Sequence, residues 1–351
     1  NSAFYLTNAI QFLDEPGEWY LDIANRKLYY WPRNNEDMRT AVAIAPHMET
    51  LVKMQGTLDN RISNIQFSGI SFQHTGWLRP SQYGHVPHQA GMYMLDAYKL
   101  KVPGTPDKKT LENQAWVGRP AAAVDVSYAQ SVKFENCRFE HMASTGFDFG
   151  KAVRMSTVRG SLFKDIGGTA ILAGVFSDEM TEVHIPYEPK DEREISIGID
   201  ITYNVVTDAA NEDWGCVGIG AGYVRDIVIA RNDISNVSYS GISLGWGWTK
   251  TINAMRGNLV GGNKIHHYGK HNYDCAGIYT LSAQPGTLIT KNYIDSIYKA
   301  PYAHLPNHWF YIYTDEGSAY MAVSDNWTPS EKFLQNANGE NCIWMNNGPN
   351  V

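Results

Sequence analysis

Two stretches of this chain set carboxylates beside strand-like, glycine-bounded sequence. Ile312-Tyr313-Thr314-Asp315-Glu316-Gly317-Ser318 places two adjacent acids before a glycine turn. Asn272-Tyr273-Asp274-Cys275-Ala276-Gly277-Ile278-Tyr279 places another acid in front of the same Gly/Ile/Tyr texture. Cleaving a glycosidic bond takes one protonated carboxyl to donate to the leaving oxygen. It takes a second, ionised one to attack the anomeric carbon or activate water. If both acids enter strands at matching places in successive repeats, Asp274 and Asp315 lie side by side as that pair. Asp315 and Glu316 do not pair, because strand neighbours face opposite ways; Glu316 then supports the site or belongs to the scaffold. An aromatic-lined pocket and a neighbouring carboxylate both raise a carboxyl's pKa. The competing reading of each acid is a turn cap or a ligand for backbone amides.

Around the acids stand residues suited to a sugar. In GWGW, Trp246 and Trp248 are alternate residues of a strand-like run, so both indoles are expected on one face, with glycines keeping the approach open. Packing tryptophans are the alternative. Trp214, Tyr279 and Trp309 join the group. His271 and His308 are candidate hydrogen-bonding contacts to substrate. Glu212 and Asp213 open a repeat strand and suit either a sugar hydroxyl or a backbone turn. The histidines at 266, 267, 271, 304 and 308 match no standard zinc spacing and there is no HExxH, so no metal and no cofactor are expected. P-loop and dinucleotide fingerprints are absent.

These residues need a rigid frame, and the chain repeats one phrase: alternating apolar residues, a polar turn residue, a spacer, then an apolar residue. SVKFENCRFEH from Ser131, DIVIARNDISN from Asp226 and TLITKNYIDS from Thr287 are copies. The turn position falls at Cys137, Ser161, Asn204, Asn232, Asn263, Asn292 and Asn326, with later steps of 28, 31, 29 and 34 residues. Coils of this length suit an all-β, right-handed parallel β-helix, with an asparagine ladder at one turn and Val, Ile and Phe stacked inside. A Greek-key sandwich would not repeat one phrase in register. Short strands VGIGAGY, SGISLGW, AGIYTL and FYIYTDEG are expected to form one sheet across four coils. Residues 1–57 differ from the rest: GEWYLD and RKLYYWP read as a hairpin around 23–26, and TAVAIAP as a further strand. The expected organisation is a β-rich appendage over 1–57 and a β-helix over 58–351. Loop insertions near 77–120 and 177–194 carry binding function or are solvated surface.

Composition narrows the classes. Of 351 residues, 43% are hydrophobic and 19% charged, and the 31 glycines and 21 tyrosines favour strands and turns. The net charge of −7 argues against a nucleic-acid partner. No apolar run of 18 residues marks a membrane span. Four widely spaced cysteines read as free, largely buried thiols. Asn1 opens mid-pattern without an initiator Met, as expected of a processed or truncated chain. Nothing in the sequence sets an oligomeric state.

The motifs AIQFLDEPGEWYLD, VGIGAGYVRDIVIARNDISNVSYSGISLGWGW, DCAGIYTLSAQPGT and IYTDEGS together resemble the parallel β-helix glycoside hydrolases, most closely family 141, over roughly residues 4–330. That resemblance implies an oligosaccharide or polysaccharide substrate, with Asp274 and Asp315 as the catalytic carboxylates. Glu316 follows in the same motif and leaves the acid assignment open, as does the order of acid and nucleophile. It also implies an α-L-fucosidase acting on the pectin rhamnogalacturonan II, or a xylan-active enzyme, in the periplasm or secreted. A polysaccharide lyase or uronate epimerase on the same fold would need a cationic base or metal. Lys270 and Arg225 are the nearby candidate cations for that role. A non-catalytic carbohydrate-binding solenoid would keep the tryptophans and be indifferent to the acids.

Overall fold

A computed structural model describes residues 6–97, 115–178, 181–337 and 339–351. The insertions expected at 77–120 and 177–194 therefore lie partly outside the described residues. The chain divides into two compact units, Asn1–Ala45 and Pro46–Val351.

In the first unit Trp19–Asp22 pairs antiparallel with Lys27–Tyr30, closing with Asp22 opposite Lys27. The Asp22 carboxylate accepts from the Asn25 backbone N–H at 2.9 Å and its side-chain amide at 2.8 Å, which fixes the turn over 23–26. The strand expected over 40–46 is not there: those residues form no ladder, and 41–48 are exposed. Their alternation is apolar, but no neighbouring strand is offered to pair with it.

The second unit is the expected parallel β-helix. Three parallel sheets of nine, seven and nine strands run its length, and the central coils contribute one short strand to each. Val228–Ala230, Asp233–Val237 and Ile242–Leu244 make one such coil. Phe67 stacks on Phe134 at 4.7 Å, and Phe139 on Phe163 at 4.4 Å, in the first coils. Aliphatic residues such as Val206, Ile234, Ile265 and Ile294 continue the second sheet's stack.

The asparagine ladder is present. Each amide donates to the next side-chain oxygen: Asn204 to Asn232 at 3.0 Å, Asn232 to Asn263 at 3.0 Å, Asn263 to Asn292 at 2.9 Å, Asn292 to Asn326 at 2.8 Å. Ser161 extends it one way through its backbone N–H to Asn204, and Asn347 adds a further rung at the other end. Just before each ladder position the backbone turns left-handed, for example Tyr203 (φ 58°), Arg231 (57°) and Lys291 (56°). That conformation costs a non-glycine residue about 1 kcal/mol. The ladder bonds offset it and satisfy polar groups that the tight turn would otherwise orphan. The four cysteines are unpaired, and three of them are buried. Among the described residues no helix is long and apolar enough to cross a membrane.

Candidate active site

The four expected strands are neighbours in one nine-stranded sheet: Ile219–Ala221, Ile242–Leu244, Cys275–Thr280 and Trp309–Thr314, followed by Phe333–Gln335. Cys275, Ile278 and Ile312 point into the solenoid core. Ala276, Tyr279, Leu281 and Tyr313 instead form a separate apolar cluster, against which Trp248, Phe310 and Leu334 pack. That second cluster is the floor of the candidate site.

The acids share this wall, but not at matching strand ends. Tyr279 is the register partner of Tyr313, and Thr280 of Thr314. Asp274 therefore precedes its strand, opposite His308, whereas Asp315 follows its strand, opposite Leu281. Backbone bonds from Asp274 N to His308 O (2.6 Å) and from Asp315 N to Thr280 O (3.0 Å) hold this register. The expectation of acids at equivalent positions fails because their 41-residue separation exceeds the 34-residue coil. The side chains still sense each other: the charge of Asp315 raises the Asp274 pKa, and both carboxylates raise that of Tyr313 between them.

The two carboxyls have different surroundings. Asp274 is left-handed (φ 56°) and its carbonyl accepts from the Tyr239 hydroxyl at 2.8 Å. Its side chain is 44% exposed, yet Oδ1 is buried and lacks a well-directed donor. His308 Nε2 lies 3.1 Å from that oxygen, an ion-pair contact without hydrogen-bond alignment. Burial pushes the Asp274 carboxyl up; His308 opposes this, and Asp315 adds to it. Asp315 is 7% exposed and held at both oxygens: Tyr279 Oη donates to Oδ2 at 2.5 Å and Asn336 Nδ2 to Oδ1 at 2.7 Å. Burial, first, and then the Asp315 charge push the Tyr279 phenol well above its ordinary value, so it stays a neutral donor.

Asp315 also opens a tight turn, its carbonyl accepting from Ser318 N at 3.0 Å. Gly317 in that turn has φ 78°, and a Cβ there would meet the Thr249 backbone at 2.5 Å. The turn therefore requires glycine, and it aims Asp315. Glu316 is half-buried in the same turn, its carbonyl accepting from Ser282 N at 3.2 Å.

The other expected contacts fall in different places. Trp246 is a correction: it is 1% exposed and packs on Phe176 in the core. The strand ends at Leu244, and Gly245 (φ 101°) and Gly247 (φ 76°) break the alternation that would have put both indoles on one face. Trp248 is half-buried at the floor, flanked by His88 and His184 at 5.8 and 5.6 Å. Both histidines come from the inserted segments. Trp214 stacks on His271 at 4.1 Å, with Tyr302 beside them. Burial and then Lys270 lower the His271 pKa, which keeps that imidazole neutral. Glu212 is exposed, beside Gly167 and Asp165, and burial followed by Asp165 raises its carboxyl. Asp213 is buried against His85 at 2.8 Å. Trp309 points into the core, under the Lys332 ammonium at 3.8 Å. Arg225 is buried and pairs with Glu192 at 3.4 Å.

Asn336, Tyr313, His88 and His184 were not singled out in the sequence. Tyr313 was detectable: the triplet Ile-Tyr-Thr occurs at both 278–280 and 312–314, and aligning the two gives the observed register. Among the described residues, no group of three His, Cys, Asp or Glu is arranged to hold a metal ion.

Residues 1–33 match the family described as the GH141 insertion domain. A solved structure titled "Glycoside hydrolase" is 52% identical, with a TM-score of 0.94, over 98% of this chain and 58% of its own. The chain thus spans little more than half the length of that relative. The structure of XylC in complex with xylose matches at 13% identity and a TM-score of 0.50, over 95% of this chain and 49% of that one, a likeness of fold alone. No curated protein matches the chain.

Proposed function

We propose that this chain, which is most like the glycoside hydrolases of family 141, hydrolyses a glycosidic bond with Asp274 as general acid and Asp315 as nucleophile or base. The observation that carries the reading is the asymmetry of the two carboxyls. Asp274 is raised by burial and partly exposed, and its buried Oδ1 has no aligned hydrogen bond, as suits a proton donor. Asp315 is gripped by Tyr279 and Asn336 at both oxygens, as suits a carboxylate that must be aimed.

In this reading the Asp274 hydroxyl gives its proton to the glycosidic oxygen as the bond to the anomeric carbon breaks. Asp315 either bonds to that carbon and is then displaced by a water whose proton the now ionised Asp274 takes, or itself takes a proton from the attacking water. Trp248 and the Trp214–His271 stack offer flat apolar surfaces for the sugar's C–H faces. The substrate is a plant cell-wall glycan; the finer reading is α-L-fucose on rhamnogalacturonan II, with a xylan-active glycosidase as the alternative. The family resemblance supports both, and also a periplasmic or secreted location.

The test is a screen on aryl glycosides, led by the α-L-fucoside and the β-xyloside, and on pectic oligosaccharides, with products followed by NMR. Release of one sugar with water incorporated supports hydrolysis. An unsaturated product absorbing in the ultraviolet, or no turnover of any glycoside, overturns it.

A further inference from the structure

A cleft opens elsewhere on the sheet that carries the acid pair. Five strand spacings away, at Ala122–Ser127, the cleft, of about 430 Å³, opens beside Lys53, Trp77, Arg79, Tyr83, Tyr93 and Asp125. At ~4.8 Å per spacing the offset is roughly 24 Å. Specific ligand sites occupy ~300–1,000 Å³, so the volume suits a small unit rather than a long one.

The polar groups of the cleft divide into satisfied and unsatisfied. Arg119 at its base is satisfied, forked onto Asp148 by two bonds of 2.5 Å and reaching Asp178 at 3.3 Å. Glu49 is satisfied too, accepting from Leu78 N at 2.7 Å. Arg79 is not. Its guanidinium carbon lies over the Tyr93 ring, 3.5 Å from the centre, and among the described residues no carboxylate stands within ion-pair distance of it. Its Nε is buried without an acceptor, and so is Trp77 Nε1 nearby. A buried donor left unmatched is destabilising, more so on a charged group, and a bound acceptor relieves it. Lys53 reaches Asp125 only at 4.0 Å.

A stacked guanidinium presents its fork to a planar anion, and the match is a carboxylate. We propose that this cleft is a distal subsite for a carboxylate-bearing sugar unit, its carboxylate on Arg79 and its ring against Trp77 and Tyr83. Tyr83 is 76% exposed at the cleft, with the Arg79 guanidinium 5.9 Å from its ring centre. The choice of a sugar rests on the glycosidase reading, since both sites share one sheet that an extended glycan can follow.

Calorimetry on the Asp315→Asn protein tests this without any turnover. A uronate trisaccharide such as trigalacturonate is expected to bind at least 10-fold tighter than galactotriose. Arg79→Gln should abolish that preference while aryl-glycoside turnover in the otherwise wild-type protein stays within twofold. Arg79→Lys should retain part of it, keeping the charge without the fork. Equal binding of the acidic and neutral trisaccharides, or an unchanged preference in Arg79→Gln, overturns the proposal. If the Arg79 variants do not fold, uronate binding by the parent protein that does not weaken with salt overturns it. Uronate binding with no glycoside hydrolysis would sink the glycosidase reading and leave the subsite standing; the reverse would sink the subsite alone.

Discussion

The Tyr279 hydroxyl donates to Asp315 Oδ2 at 2.5 Å, across the boundary between two successive coils. The bond joins a residue from the middle of one strand to the turn that ends the next. It aims one oxygen of Asp315 while Asn336, from the strand beyond, holds the other.

Tyr279→Phe removes that donor and leaves the ring in place. A hydrogen bond to a charged group is worth about 1.5–3 kcal/mol, so kcat/KM should fall roughly 10- to 150-fold. The loss should lie in kcat, because the hydroxyl touches Asp315 and not the sugar. A change confined to KM would place Tyr279 in substrate binding instead.

With Asp274 as the proposed acid, its carboxyl sets the alkaline limit of activity and His308 tunes it. Burial and the Asp315 charge raise the Asp274 carboxyl, whereas His308 holds it down. His308→Gln removes the lowering influence, so Asp274 stays protonated to higher pH. The alkaline limb of kcat/KM against pH should therefore move up. A limb that stays put or moves down would separate His308 from the acid.

The two tryptophans of GWGW should answer differently. Trp246 is core, and Trp246→Ala should cost about 3–5 kcal/mol of stability, read as a large fall in Tm. Trp248→Ala should leave Tm nearly unchanged and raise KM severalfold, since Trp248 is half-buried at the floor. Equal effects on Tm would contradict the split.

Asn232 tests the ladder. Its amide donates to Ile201 O and Asn263, and its oxygen accepts from the Asn204 backbone and side chain. Asn232→Ala orphans several buried groups, at about 1–3 kcal/mol each. Tm should drop by several degrees, with kcat unchanged at temperatures well below the transition. A loss of kcat without a loss of Tm would place the ladder in the chemistry.

These contrasts also explain what was legible in the sequence. The ladder repeats one amide per coil, so it can be read by spacing alone, and Asn204 to Asn326 fall as expected. The four strands of the site sheet were legible for the same reason. The register of the acids was not, because Asp274 was aligned with Asp315 directly rather than through the flanking Ile-Tyr-Thr triplets. Trp246 misled because alternation fails where glycines turn left-handed, which the letters GWGW do not announce. Asn336 carried no signal: it matters only because the next strand, Phe333–Gln335, ends beside Asp315.

The most direct measurement compares Asp274→Asn and Asp315→Asn on aryl glycosides with good and poor leaving groups. A leaving group that needs no proton bypasses the acid. Asp274→Asn should thus keep kcat/KM on the dinitrophenyl glycoside within about 10-fold of wild type but lose about 10²–10⁴-fold on the poor one. Asp315→Asn should lose at least that much on both. The reversed pattern would exchange the two roles, and near-wild-type turnover by Asp315→Asn would contradict the carboxylate pair itself.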